Sequence, residues 1–157
     1  MNPPKTLTEV RRAELDAAAM ELLQLHGVEQ PPVPIENILR QPAGDLWKPD
    51  LADLSLQSFD LRERYAARPT IARLVARYVG GSDWARQRGL VGDAGFMPDE
   101  VRYMARALLM PKAWIDALPR SKRYPASVRT SFHVPVSDAA ERFAELYLPG
   151  VEPDSAK

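Results

Sequence analysis

Pro69-Thr70-Ile71-Ala72-Arg73-Leu74-Val75-Ala76-Arg77-Tyr78-Val79 decides how the rest of this chain is read. Ile71, Leu74, Val75, Tyr78 and Val79 fall at i, i+3, i+4, i+7 and i+8, which is a complete apolar face on an α-helix. Gly80-Gly81 supplies the stop. Arg73 and Arg77 stand one turn apart on the opposite side of the same helix. Their ordinary role is a solvated, helix-favouring surface, with the alkyl stems lying along apolar neighbours.

Downstream, Pro98-Asp99-Glu100 opens a second helix, with proline in the first turn and two acids at the positive end of the helix dipole. Val101, Met104, Ala105, Leu108 and Leu109 repeat the apolar spacing up to Pro111. Between the two helices, Ser82 is placed to cap a short helix carrying Trp84. Ala113 to Leu118 predicts one or two more helical turns, Arg120 to Pro125 a basic loop, and Ala126–Phe132 and Val136–Tyr147 a final helical pair.

Upstream, Thr6-Leu7-Thr8-Glu9 reads as a capping box, with Leu15, Ala18, Ala19, Leu22 and Leu23 following at helical spacing as far as Gly27. Pro31-Pro32-Val33-Pro34 is a stiff connector. It leads into a short helix burying Ile35, Ile38 and Leu39. Residues 43–61 lack clean periodicity. Leu54, Leu56 and Ser58 alternate with Ser55, Gln57 and Phe59, which points to a strand and to a small sheet around residues 44–61.

The 157 residues are enough for one core. The expected organisation is a single domain over 1–148 followed by a disordered tail, 149–157. There is no cysteine, which removes disulfides and thiolate chemistry. No stretch is long and apolar enough for a bilayer, and the start lacks the apolar core of a signal peptide, so a cytoplasmic location is expected. The zero net charge hides a gradient. Residues 1–61 hold five Lys/Arg against ten Asp/Glu, residues 62–137 fourteen against six, and the rest two against five. Such a basic middle either pairs internally with the acidic ends or offers a surface to an acidic partner or nucleic acid.

Three segments together resemble the ImmA/IrrE family of zinc metallopeptidases. Arg68, Thr70, Ile71, Ala72 and Tyr78 match that family's metal-binding helix. Ala105 and Leu108-Leu109-Met110-Pro111 match its downstream helix. Phe132-His133-Val134-Pro135, with Arg142, Phe143 and Leu146, is similar to its ending. The resemblance covers most of residues 8–148 and implies an α+β, mainly helical, zincin-like scaffold with a small sheet and a C-terminal helix-turn-helix-like pair.

The catalytic residues do not follow. A zincin needs two histidines at i and i+4 and a glutamate between them as general base. Arg73 and Arg77 stand where the resemblance places the histidines, Leu74 where it places the glutamate, and Pro98 where it places the third, acidic ligand. Arginine stays protonated and repels a cation, and leucine cannot activate water. No zinc and no other cofactor is expected. If the former cleft persists, Arg73 and Arg77 turn it into an anion site; alternatively, Asp99 or Glu100 pairs with them and fills it.

Other candidates are weaker. Ser131 and His133 lack a third catalytic group, and Gly92…Gly95 lacks the Lys-Ser/Thr of a phosphate loop. Trp47, Trp84 and Trp114 read as packing anchors. In the outline of a helix-turn-helix over 126–147, the second helix holds only Arg142 against Asp138, Glu141 and Glu145, which disfavours a groove reader. The reading is therefore a pseudoenzyme: a protein-binding or regulatory module of bacterial or phage type. Its expected partner is protein, such as the helix-turn-helix repressors that active family members cleave. A DNA-binding regulator using the basic middle, or an enzyme with an unrelated site, is the alternative.

Overall fold

A computed structural model describes residues 7–50 and 65–147. The first helix, α1, spans Glu9–Leu25. Its N-cap is Thr8, whose hydroxyl accepts the Arg11 amide at 3.0 Å. The start therefore lies two residues later than a box built on Thr6 would place it, because Thr8 is the side chain that satisfies the N3 amide. Leu15, Ala18, Ala19, Leu22 and Leu23 are buried as a single stripe. Past His26 the chain turns at Gly27, whose φ of 70° favours glycine.

The short α2, Ile35–Arg40, buries Ile35, Ile38 and Leu39. A long helix, α3, follows over Ala67–Gly80 and buries Ile71, Ala72, Val75, Ala76 and Val79. Pro69 is accommodated because first-turn amides have no partner within the helix. Ser82 caps α4, Asp83–Gln87, by accepting the Ala85 amide at 3.2 Å. Then come α5, Pro98–Leu109, and α6, Lys112–Asp116. The last two helices, α7 (Pro125–Phe132) and α8 (Val136–Tyr147), pack on each other. His133 makes the turn between them in a left-handed conformation, φ 57°.

At the centre, α5 packs against both α3 and α1. Tyr103, Met104, Leu108 and Leu109 come from α5, and they meet Val75 and Val79 of α3 and Leu15 and Leu22 of α1 in one buried cluster. Each large aliphatic side chain fully buried there contributes roughly 1.5–3 kcal/mol.

The expected α+β, zincin-like architecture with a small sheet is corrected. The described residues form helices and turns, with no strand among them. Around residues 44–50 the reason is local. Ala43–Asp45 is a 3-10 turn in which Gly44 and Asp45 both take positive φ, 57° and 55°, so the chain cannot run extended. Trp47 then anchors the segment, stacking on Tyr78 at 5.9 Å and donating its indole N–H to the Leu39 carbonyl. The strand expected over 54–59 and the tail over 149–157 lie outside the described residues. No described helix is long and apolar enough to cross a membrane.

Candidate functional site

One close approach builds the site. A side-chain carbon on Gly80, the last residue of α3, would come within 2.8 Å of the Phe96 ring and 3.0 Å of the Phe96 amide nitrogen. Glycine at this position lets the loop before α5 lie directly on the end of α3. Gly95, with φ 74°, makes the turn that brings it there. Phe96 becomes the wall of a cleft of about 340 Å³, completed by Arg73 and Arg77 of α3 and by Pro98, Val101 and Arg102 of α5.

Arg73, Arg77 and Pro98, the three positions that the sequence resemblance gives to metal ligands, thus line one cleft. These residues do not fit zinc. Two guanidiniums carry only donors and a fixed positive charge, and proline offers no side-chain ligand. Among the described residues, no group of three His, Cys, Asp or Glu side chains stands ready to hold a metal ion. Leu74, at the position of the general base, is partly buried and packs against the core.

The two acids expected to close the cleft are engaged elsewhere, which corrects that expectation. Asp99 pairs with Arg102, three residues on in the same helix. Glu100 turns towards α1. One oxygen meets Arg11 Nε at 2.5 Å, and the other accepts the Met97 amide at 2.7 Å. Glu100 therefore caps α5 and ties it to α1, since a carboxylate at N3 can reach back to the N-cap amide.

Arg73 donates to Thr70 Oγ1 at 3.1 Å, and neither Arg73 nor Arg77 makes an ion pair among the described residues. Asp138 of α8 lies within the electrostatic reach of Arg73. Burial and the neighbouring Glu141 push its carboxyl above the usual aspartate value, while Arg106 and Arg73 pull it back. Arg102 joins the cleft beside the two predicted arginines. Its signal was available in the sequence, since it stands four residues after Pro98 and so shares its helix face.

The other arginines of the basic middle largely answer to acids. Arg68 meets Glu36 at 3.2 Å and donates to the carbonyls of Val33 and His133. Arg88 pairs with Glu21, and Arg106 holds Glu145 at 2.5 Å and Glu141 at 3.2 Å. Part of the charge gradient along the sequence is thus paired inside the fold, whereas Arg73 and Arg77 of the cleft make no ion pair among the described residues.

The remaining candidates take structural positions. His26 Nδ1 donates to the Leu22 carbonyl at 2.7 Å, and its Nε2 accepts the Ala43 amide at 2.9 Å. The His133 ring stacks on Tyr65 at 4.8 Å, while Ser131 is exposed. Arg142, the one base of α8, is fully buried, so that helix presents no arginine or lysine to solvent. Compared with known proteins, the chain matches no family model, no curated protein and no solved structure.

Proposed function

We propose that the chain is a catalytically inactive relative of the ImmA/IrrE metallopeptidases that works as a protein-binding, regulatory module in the cytoplasm. The observation that carries this reading is the convergence of Arg73, Arg77 and Pro98 on one cleft. Positions on two different helices, which the resemblance gives to a metal, lie together and present two guanidiniums and a proline instead. The chemistry left to such a cleft is recognition. Fixed guanidiniums next to an apolar wall hold a partner's anionic groups without any bond being made or broken.

The partner favoured by the resemblance is a repressor with a helix-turn-helix domain, bound and not cleaved. Affinity purification from the native host tests this reading. The wild-type chain is expected to retain such a repressor at stoichiometric level and to leave it intact. Recovery of a repressor cleaved by the purified chain, or of no protein partner under any growth condition, would overturn the proposal.

A further inference from the structure

We infer that the cleft between α3 and α5 is a docking site for an acidic peptide segment, with carboxylates on Arg73 and Arg77 and an intervening apolar side chain against Phe96 and Val101. The inference rests on the binding role proposed above and names the chemistry of what is bound.

Charge complementarity is the first argument. Arg73 and Arg77 make no ion pair among the described residues, only Asp138 lying within electrostatic reach of Arg73, and the acids at the start of α5, Asp99 and Glu100, are already committed to Arg102 and Arg11. Guanidinium groups seek planar, bidentate acceptors, and carboxylates provide them. The lining is also mixed. Phe96, Pro98 and Val101 form an apolar surface beside the cations, which suits a segment alternating acidic and apolar residues.

Spacing separates a peptide from a compact phosphate. Arg73 and Arg77 stand one helical turn apart along α3, about 5–6 Å between their β-carbons, and Arg102 rises from a different helix. Single charges strung along a peptide match such a row. A phosphate is held best where backbone amides and side chains converge on one point. Here the Glu100 carboxylate takes the Met97 amide and places a negative charge at the start of α5.

The test uses the full chain and a fluorescein-labelled peptide, acetyl-Glu-Leu-Glu-Phe-Glu-amide, followed by anisotropy. Its controls are the same peptide with glutamine for every glutamate, and inorganic phosphate as competitor. The acidic peptide is expected to bind at least about tenfold more tightly than the glutamine peptide, and Arg73→Gln/Arg77→Gln is expected to remove that difference. Arg86→Gln, which lies outside the cleft, is expected to retain it. Circular dichroism confirms that each variant is folded.

Equal binding of the two peptides, or an unchanged affinity in the folded double variant, overturns the inference. So does displacement of the peptide by inorganic phosphate at lower concentration than by unlabelled acidic peptide, which assigns the cleft to a phosphate ligand. If the peptide binds at these arginines but affinity purification of the wild-type chain recovers no cellular partner, the docking site stands and the regulatory reading beneath it falls.

Discussion

Arg142 Nη2 donates to Asp16 Oδ1 at 2.9 Å, joining α8 to α1 across the core, and the Arg142 side chain is fully buried. The same guanidinium gives its Nε hydrogen to the Met110 carbonyl at 2.9 Å and lies over the Tyr103 ring. The Glu145 carboxylate lies farther off, 3.7 Å from Nη1, so removing Asp16 takes away the one carboxylate that is hydrogen-bonded to this buried charge. Asp16→Ala is expected to lower unfolding free energy by about 3–5 kcal/mol. Arg142→Met, which removes charge and keeps volume, is expected to cost distinctly less. Urea unfolding at neutral pH measures both.

Tyr103 donates to the other Asp16 oxygen at 2.8 Å, and burial pushes its hydroxyl up to about 12. The folded value lies above the ordinary value of 10.0, so the folded state prefers the protonated phenol. This contribution is complete below pH 10 and is lost as pH rises towards 12. Unfolding followed between pH 9 and 12 is expected to show a stability loss on the order of 2 kcal/mol. In Tyr103→Phe that loss is expected to be smaller.

Asp138 gives a pH dependence of the same sign at the acid end of the range. Its carboxyl is raised above the ordinary 3.8, chiefly by burial and then by Glu141. A raised folded value means that ionisation opposes folding, so its contribution is most favourable below pH 3.8 and is lost as pH rises. Asp138→Asn is therefore expected to raise the melting temperature at pH 7 and to make little difference in acid. Melting curves at the two pH values check the sign.

Gly80→Ala tests how the cleft is built. The added carbon meets the Phe96 ring and, less forgivingly, its backbone nitrogen. A loss of about 1–3 kcal/mol is expected from this overpacking, together with a displaced Phe96 wall. Anisotropy with the acidic peptide is expected to show weaker binding even where the variant stays folded.

Glu100→Ala separates cap from cleft. It removes a helix cap and the bond to Arg11, and is expected to cost about 1–3 kcal/mol in unfolding experiments. Peptide affinity in the cleft is expected to stay within about twofold, because Glu100 turns towards Arg11 and does not line the cleft.

The helices were legible because their apolar residues repeat at three and four with proline or glycine at the ends, as at Pro98 and Gly80-Gly81. The cleft was half legible. Arg73 and Arg77 announce themselves by spacing, and Arg102 shares the face of Pro98 four residues on, but only the packing of α5 on α3 brings that face to the two arginines. The destinations of Asp99 and Glu100 depended on Arg102 and Arg11, and periodicity does not report a choice among several cations. The sheet was misjudged because alternation over a few residues was extended to 44–50. There, two positive φ angles and the anchoring of Trp47 impose a turn. Burial of Arg142 was equally hidden, since an arginine on a helix ordinarily faces water and only Asp16, Glu145, the Met110 carbonyl and the Tyr103 ring make burial tolerable.

Of the three positions that the resemblance gives to metal ligands, Arg73 and Arg77 hold cations and Pro98 offers no ligand, so the chain is proposed to refuse zinc. Elemental analysis of the chain, purified from zinc-supplemented cells without chelator, tests it most directly. The account predicts zinc far below one atom per chain, unchanged in Arg73→Gln/Arg77→Gln. One zinc per wild-type chain, retained through gel filtration, would contradict it.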